Sequence, residues 1–372
     1  MTDPRPPAPA TSAGPAGGGA RNQGWALCVA TLDRLPELRD CVRLAAAQTF
    51  PPQEVVICDA SAEAGSSRAE IERVIGGSIA LTYLQAERKS SAAQRNQCIA
   101  AATADILFLL DDDSFMHPDC AERIMATYGA DTDRRIAAIS ATPHRTDPRG
   151  GQPGNPARRD PTYEKAGRLS RNMTSRRVRR LVIALLLPGG AWSFIRYRDG
   201  HPRPGDGVAV PPGLRRVNGI AGFLLTVRRE VAAEFGFDRH LLAYCPNEDA
   251  DATHRFARRG LLLRDPDAHI YHFEAAAGRL KRRKVAELQV TNTAYFIRRH
   301  SAALPGDALR FTARTVRRLI AGVVKDGVLR DWSLPQVRGI ARGLLRSAAI
   351  LSHRRDDLGP WYEKMQHRIL AE

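Results

Sequence analysis

The sequence predicts an α/β protein in which helices flank a mostly parallel central sheet. From Gly24 onward, continuous apolar runs of strand length alternate with segments of helical periodicity. This alternation is typical of parallel strands that are covered on both faces. The 372 residues are 43% hydrophobic, which is enough for a large core. Two of the apolar runs end in aspartate, and ligands bind beyond the carboxyl ends of such strands.

The first half of the sheet is predicted to contain four strands, at 25–31, 54–61, 79–86 and 105–113. Helices are predicted at 35–48, where Pro36 suits the first turn, and at 90–104. Ser91 and Gln94 have the spacing of a capping box at the start of the second helix.

Regular periodicity returns after a long irregular stretch. It covers 217–236 and then a predicted helix at 247–260 that ends on Gly260. The following residues, 261–272, are predicted to form one or two short strands around a turn.

Composition divides the chain into segments. Residues 1–23 are rich in Pro, Ala and Gly and are predicted to be a disordered lead-in. An α/β body is predicted at 24–278 and includes a Pro-, Gly- and Arg-rich insert at 142–216. A basic helical extension follows at 279–372.

The charge is concentrated in two of these segments. The chain carries 56 Lys and Arg against 40 Asp and Glu, a net charge of +16. The insert holds 16 basic and 5 acidic residues and the extension holds 20 and 8, so the rest is mildly acidic. The basic segments suggest an anionic partner, whereas the acidic remainder argues against a nucleic-acid-binding role for the whole protein.

The six cysteines include no CxxC pair, and several lie in apolar runs. We therefore expect a reducing compartment and no structural zinc. No run of about 18 apolar residues occurs, so no membrane-spanning helix is expected. The longest candidate, 181–195, is short and interrupted by Pro-Gly-Gly.

Three consecutive aspartates, Asp111 to Asp113, end the apolar run in ADILFLLDDDSFMHPD. Because strand side chains alternate, Asp111 and Asp113 are expected on one face and Asp112 on the other. A divalent cation such as Mg²⁺ or Mn²⁺ would relieve the repulsion between two carboxylates. The alternative is that these residues cap the next helix and face solvent.

Several segments together resemble the family 2 inverting glycosyltransferases, which have the GT-A fold. The resemblance covers roughly 25–300 outside the insert, and the DDD run alone would be a weak signal. It implies that the body at 24–278 is the glycosyltransferase domain and that the insert at 142–216 lies on its acceptor side. Its segments, in the family's order, are VATLDRLPELRDCVRLAAAQTFPPQEVVICDAS, SSAAQRNQCIAAATADILFLLDDDS, NGIAGFLLTVRREVAAEFGFDRHLLAYCPNEDADATHRFARRG and DPDAHIYH.

The resemblance implies a role for each matched position. Nucleotide-sugar binding is implied for Asp59, Arg95, Asn96, Asp111 and Asp112. Metal binding is implied for Asp111, Asp113 and His272. Asp249 in NEDAD matches the general base, and its neighbour Glu248 is the alternative base.

Each role has a simpler alternative that the sequence leaves open. The alternative for Asp59 is a role limited to capping a turn. The alternative for Arg95 is a position on a solvated helix face. Asp249 stands at a predicted helix start, where the helix dipole stabilises a carboxylate anyway. His272 could be a structural histidine.

The resemblance implies a metal-dependent hexosyl- or deoxyhexosyltransferase with Mg²⁺ or Mn²⁺ as cofactor. The donor would be a UDP-, dTDP- or GDP-sugar and the acceptor a glycan or lipid-linked hydroxyl, as in cell wall or polysaccharide biosynthesis. The Q-x-x-R-W signature of processive synthases is absent. The non-processive bacterial type is therefore expected.

Basic amphipathic segments suggest a peripheral location on the inner face of the cell membrane, in the cytoplasm. One is RRVRRLVIALLL at 176–187. Two more lie in the extension, where arginines recur every four residues beside apolar residues. The first series is Arg310, Arg314 and Arg318, and the second is Arg338, Arg342 and Arg346. The alternative is that these helices pack their apolar faces on the body and leave arginine in water.

Two other classes of function are consistent with single features of the sequence. One is a phosphatase-like hydrolase that uses the D-x-D pair. The other is a basic protein that binds nucleic acid or membrane without catalysis.

Overall fold

The computed structural model describes residues 24–150, 197–275, 280–328 and 332–372. The predicted lead-in at 1–23, the basic run at 176–187 and the apolar run at 181–195 lie outside these residues. Within them the chain forms one nine-stranded sheet flanked by helices.

The strands run in chain order from β1 to β9. Their bounds are β1 Trp25–Thr31, β2 Glu54–Asp59, β3 Ala80–Gln85, β4 Ile106–Asp111, β5 Ser114–Met116, β6 Ile136–Pro143, β7 Arg215–Arg216, β8 Leu225–Arg228 and β9 Leu261–His272. The sheet order is β3-β2-β1-β4-β8-β6-β9-β5, and β7 pairs with β9.

The helices of the described residues are numbered in the same way. Their bounds are α1 Leu35–Ala46, α2 Ala64–Ile75, α3 Ser91–Ala101, α4 Cys120–Ala130, α5 Arg229–Phe235, α6 Glu248–Phe256, α7 Arg282–His300, α8 Leu304–Val328, α9 Pro335–Ser352 and α10 Leu358–Ala371. A short 3-10 helix, Gly222–Leu224, precedes β8.

The first half of the sheet brings two strand-end aspartates to one edge. Strand β1 pairs in parallel with β2 and with β4, so Thr31 lies opposite Asp59 and Ala30 lies opposite Asp111. The side chains of β1, β2 and β4 are almost all buried, as expected of strands covered on both faces. The predicted strands and their parallel arrangement are confirmed here.

The second half of the sheet is mixed. Strand β8 runs antiparallel to β4 and β6, and β9 runs parallel to β6 and antiparallel to β5. Residues 261–272 form a single strand of 12 residues, so of the one or two short strands expected around a turn, one is found and it is longer than expected. Irregular register between β6 and β9 absorbs the Asp-Pro step within the strand.

Two helix-end predictions are wrong by a few residues. The cap of α3 is Ser90, whose Oγ accepts a hydrogen bond from the Ala93 N–H, and Ser91 instead donates to Glu248. Helix α6 ends at Phe256, four residues before its predicted end. Gly260 is required for another reason, because a Cβ there would lie 2.3 Å from the backbone oxygen of Arg135.

Helices α7 to α10 share the core of the sheet domain. Tyr295 on α7 donates to Asp238, and Gln366 on α10 donates to the His240 carbonyl. Ile340 and Ile350 on α9 are fully buried in the same cluster as the strands. The boundary predicted after residue 278 stays a prediction, since these contacts cross it. No helix among the described residues is both long and apolar enough to span a membrane.

Candidate active site

Two carboxylates and one imidazole converge beside the carboxyl end of β4. Asp111 is the last residue of β4, Asp113 lies in the turn to β5, and His272 ends β9. One ligand atom from each lies within 4.8 Å of the others. The pairing of Ser114 on β5 with His272 on β9 fixes this meeting point. The grouping predicted for Asp111, Asp113 and His272 is therefore present in the fold.

The Asp113–His272 pair is closely coupled. The Nε2 of His272 lies 3.2 Å from an oxygen of Asp113. Burial alone would lower the pKa of His272, but the hydrogen bond and charge of Asp113 raise it. Burial would also raise the pKa of Asp113, but the bond to His272 and the Ala275 N–H lower it. Phe223 stacks on the His272 ring, with centroids 4.2 Å apart, and so fixes its plane.

This donor set fits a divalent cation. Two carboxylates and an imidazole suit Mn²⁺ well, and the carboxylates suit Mg²⁺. Asp111 is the more accessible carboxylate, with a side chain 35% exposed, whereas the side chain of Asp113 is 3% exposed. The exposure of Asp111 would let a substrate reach a cation held by these residues, as a substrate-binding metal site requires.

Asp112 is not part of this group, although the same Arg34 nitrogen lies 3.0 Å from its carboxylate and 3.6 Å from that of Asp113. Strand β4 ends at Asp111, so a turn, and not strand alternation, separates the three side chains. Asp112 accepts hydrogen bonds from Thr31 Oγ1 at 2.8 Å and from Arg34 at 3.0 Å. Burial raises its pKa to about 7, with Arg34 opposing that rise. Asp112 is 4% exposed, so a direct contact with the donor, as predicted for it, would require neighbouring groups to move.

Asp59 is buried at the end of β2 and caps the turn that follows. One oxygen accepts from the Ser61 N–H at 2.8 Å, and the other accepts from the Tyr83 hydroxyl at 2.7 Å. Its turn-capping role is therefore present in the structure. Contact with a nucleotide base stays a prediction for Asp59.

Arg95 lies buried between two acidic groups of the site. Its guanidinium donates one bond to Asp111 and one to Glu248. Burial would lower the pKa of Arg95, but these two carboxylates raise it well above its usual value. Arg95 is 5% exposed, so the alternative of a solvated helix face is wrong.

Asn96 makes two hydrogen bonds with one backbone unit. Its amide donates to the Phe237 carbonyl at 2.8 Å and accepts from the Phe237 N–H at 2.7 Å. These bonds hold the loop after α5 against α3. The nucleotide contact predicted for Asn96 stays a prediction, and one amide N–H of Asn96 is not used by this pairing.

Asp249 and Glu248 begin helix α6 and differ in their surroundings. Asp249 accepts bonds from the backbone N–H groups of Gly222 at 2.8 Å and Ala250 at 2.7 Å. Burial is the largest cause that raises its pKa, and the charge of Asp111 adds to it. Glu248 is bound by Arg95 and by Ser91, and burial raises its pKa to about 7. Among the residues that the structure describes, the hydrogen bonds to Asp249 come from backbone N–H groups, whereas Glu248 would have to release Arg95 and Ser91 to act as a base.

The residue before α6 holds both carboxylates in place. Asn247 has a left-handed backbone conformation, φ 71°, which asparagine tolerates better than most residues. Its amide donates to the Gln289 carbonyl and to Thr293 on α7. Asn247 is not among the predicted site residues, although an asparagine before a run of acidic residues is a recognisable signal of a helix start.

Other residues of the site carry no sequence signal that identifies them. Arg34, Tyr83, Ser91 and Phe223 contact site residues that are far away in the sequence, up to 157 positions for Ser91 and Glu248. Only the fold brings these side chains to the site.

Part of the chain is similar in sequence to a known protein family. Residues 26–184 match the family model described as Glycosyl transferase family 2. No curated protein sequence matches the chain.

Solved structures also resemble the chain. It matches the mannosyltransferase PcManGT from Pyrobaculum calidifontis, in complex with GDP-Man and Mn²⁺, with a TM-score of 0.50 and 16% identity over 95% of this chain and 86% of that one. TarS 1-349 from S. aureus, in complex with UDP-GlcNAc, gives a TM-score of 0.47 and 12% identity over 92% and 90% of the two chains. GalNAc-T7 with UDP, GalNAc and Mn²⁺ gives 0.48 and 14% over 75% and 48%. The chain therefore has the GT-A fold and carries a match to glycosyl transferase family 2 over residues 26–184.

Proposed function

We propose that this protein is a metal-dependent, inverting, non-processive glycosyltransferase. It moves a hexosyl or deoxyhexosyl group from a nucleoside-diphosphate donor to a hydroxyl of a glycan or lipid-linked acceptor. The observation that carries this proposal is the convergence of Asp111, Asp113 and His272 near the base candidate Asp249. The family match and the GDP-Man and Mn²⁺ complex of the Pyrobaculum enzyme support it.

The donor is proposed to bind across the carboxyl ends of β1, β2 and β4. Asp111, Asp113 and His272 would hold Mn²⁺ or Mg²⁺, which supplies positive charge to the leaving diphosphate. Asp59, Arg95 and Asn96 lie in the same half of the sheet domain. Nucleotide contacts are proposed for all three residues. Arg95 also has a positioning role, because it bonds Asp111 and Glu248 at once.

The chemical step is proposed to be a single displacement. Asp249 takes the proton of the acceptor hydroxyl as the oxygen attacks the anomeric carbon from the face opposite the diphosphate. The bond between that carbon and the diphosphate oxygen breaks, and its electron pair leaves with the nucleoside diphosphate. The transition state resembles an oxocarbenium ion, and the anomeric configuration is inverted.

The acid–base state of Asp249 suits this role. A base must be ionised at the working pH, and its proton affinity rises with its pKa. Burial and Asp111 raise the pKa of Asp249, while the N–H groups of Gly222 and Ala250 stabilise its ionised form. The carboxylate is thus a stronger base than an exposed aspartate.

The location is proposed to be cytoplasmic and peripheral on the inner face of the cell membrane, where a lipid-linked acceptor would be available. The basic extension at 279–372 supports this, since it carries 20 Lys and Arg against 8 Asp and Glu.

Replacement of Asp249 tests the proposal. Asp249→Asn should bind nucleoside diphosphate with Mn²⁺ as the wild type does, but its kcat should fall at least about 10²-fold because the base is lost. Release of nucleoside diphosphate from the donor and binding by calorimetry measure the two quantities. Glu248→Gln is the matched control, and a larger loss of kcat in that variant would assign the base to Glu248.

The pH profile gives a second readout of the same residue. Because the pKa of Asp249 is raised, wild-type kcat should fall, as pH decreases, at a pH above the usual range for aspartate. Asp249→Asn should lose this acid limb. Near-normal turnover in Asp249→Asn, or an unchanged acid limb, would contradict the assignment.

A further inference from the structure

Helix α8, Leu304–Val328, exposes an apolar stripe. Leu309 is 72% exposed, Val316 41%, Ile320 51% and Val323 51%. Their spacings of seven, four and three residues place them on one helix face. Four of the eight strongly exposed large apolar side chains in the described part of the chain lie on this helix. Such a stripe on a surface helix is typical of an interaction site.

Arginines line one side of the stripe. Arg310, Arg314 and Arg317 are exposed, and each follows an exposed apolar or small residue by one position. Arg310 also pairs with the buried Asp307 one turn earlier and keeps about half of its side chain exposed. One position turns the helix by about 100°, so the three arginines share the flank beside the stripe. Arg318, by contrast, turns inward and donates to Gln289 on α7 at 2.9 Å. The predicted series of Arg310, Arg314 and Arg318 is therefore split between two faces.

The buried face of α8 is already occupied. Phe311 and Thr315 are buried on the side opposite the stripe, and Ala321 is also buried. The exposed stripe is therefore not the face that packs on the protein. The alternative that the apolar residues of this helix cover the body is wrong for Leu309, Val316, Ile320 and Val323.

Helix α9, Pro335–Ser352, has the opposite arrangement. Its apolar residues Ile340 and Ile350 are fully buried, and Arg346 is engaged by Glu287 and Glu372. The packing alternative therefore holds for Ile340 and Ile350, whereas Leu345 on the same helix is exposed. Of the two basic helices that the sequence pointed to in the extension, only α8 has an apolar face directed to solvent.

Charge identifies the partner that fits this face. A second copy of the chain would bring a second row of arginines from an extension that is already strongly basic. An anionic bilayer accepts apolar side chains at its acyl boundary and arginines at its headgroups. Charge complementarity therefore favours a lipid surface over self-association.

We propose that the outer face of α8 binds the surface of an anionic lipid bilayer, with Leu309, Val316, Ile320 and Val323 inserted and Arg310, Arg314 and Arg317 at the headgroups. This surface lies outside the residues assigned to sugar transfer. It specifies which helix produces the peripheral location proposed above, and it does not depend on the chemistry of the transfer site.

Vesicle co-sedimentation of the full chain tests the surface. Wild-type protein should pellet with phosphatidylcholine vesicles that contain phosphatidylglycerol and less with phosphatidylcholine alone, and salt should weaken binding. The double variant Val316→Glu with Ile320→Glu should bind at least about tenfold more weakly. Leu345→Glu, at a 78% exposed apolar residue on α9, is the matched control and should bind as the wild type does.

A second variant separates charge from insertion. Arg314→Gln with Arg317→Gln should weaken binding by about fivefold for each arginine. Arg338→Gln with Arg354→Gln removes the same net charge from exposed positions elsewhere and should have a much smaller effect. If both double variants lost vesicle binding to the same extent, net charge alone would explain the binding. That result would overturn the proposal.

Three results would count against the bilayer as partner. They are no wild-type binding at low salt, full binding by the double glutamate variant, and a wild-type dimer in sedimentation velocity that this variant dissociates. Nucleoside diphosphate binding with Mn²⁺ should be the same in all these variants. If vesicle binding follows the prediction while nucleotide binding is absent, only the enzymatic proposal fails.

Discussion

At the scale of single residues, the site depends on one glycine that brings the backbone close to a charged pair. The N–H of Gly222 donates to Asp249, and a Cβ at this position would lie 2.5 Å from Arg95 Nη2. Arg95 has little freedom to retreat, because Asp111 and Glu248 hold both ends of its guanidinium. Gly222 thus couples the proposed base to the carboxylate proposed to bind metal.

This coupling predicts a loss of activity from a single methyl group. Gly222→Ala should displace Arg95, misplace Asp249 and lower kcat at least about tenfold, which corresponds to about 1.4 kcal/mol of transition-state free energy. Steady-state release of nucleoside diphosphate measures it. Gly129→Ala on α4 is the control, since no atom lies within 4 Å of its added Cβ. Equal turnover in both variants would show that the close approach has no role in catalysis.

The residues that the sequence identified share one property: each is a chemically distinctive side chain at the end of a recognisable element. Asp111 and Asp249 could be found in this way because an apolar run precedes the first and an acidic helix start contains the second. Tyr83 and Phe223 could not, because tyrosine within a strand and phenylalanine in an apolar run usually indicate packing. Their contacts with Asp59 and His272 exist only once distant strands have paired.

At the scale of elements, α9 crosses α7 at a distance that only glycine allows. A Cβ at Gly339 would lie 2.3 Å from the backbone oxygen of Arg283, and one at Gly343 would lie 2.7 Å from Val290 Cβ. The sequence predicted a basic amphipathic helix here, and the glycine spacing of four residues was the overlooked signal of close packing. Gly322 on α8 differs, since its added Cβ would make only ordinary contacts at 3.5 Å or more.

The same substitution should therefore have opposite effects in two neighbouring helices. Gly322→Ala should raise the free energy of unfolding by about 0.5–1 kcal/mol, because alanine is the better helix former. Gly339→Ala should lower it by about 1–3 kcal/mol, because the backbone of α7 has to move. Urea unfolding followed by circular dichroism measures both, and stabilisation by Gly339→Ala would contradict the close packing of the two helices.

At the scale of the whole molecule, the sequence predicted the parts better than their assembly. The first four strands follow from apolar runs separated by helices, because connections of that kind favour parallel neighbours. The pairing of β9 with β6 and β5 joins segments separated by well over a hundred residues, and hydrophobic pattern alone does not specify such partners. Yet this pairing carries His272 to Asp113, so the complete group proposed to bind metal is a product of the whole fold.

The long-range assembly also explains why the basic charge of the extension did not show which of its helices faces solvent. The basic excess of the extension was visible in composition, but the composition of α8 and α9 is similar. Burial of Ile340 and exposure of Ile320 distinguish the two helices, and both depend on how they pack against α7. Composition therefore predicted an anionic partner, and only the fold shows which surface is available to it.

Cation-dependent nucleotide binding tests the central claim most directly. Thermal unfolding of the wild type should shift upward with at least one of UDP, GDP and dTDP when Mn²⁺ or Mg²⁺ is present, and the shift should vanish with a chelator. A nucleotide at about a hundred times its Kd adds about 2.7 kcal/mol to the free energy of unfolding. Asp111→Asn should lose the shift, whereas Asp119→Asn, at an exposed aspartate paired with Arg123, should keep it. A shift that persists without the cation or in Asp111→Asn, or no shift with any of the three nucleotides, would contradict a metal-dependent nucleotide-sugar site at Asp111, Asp113 and His272.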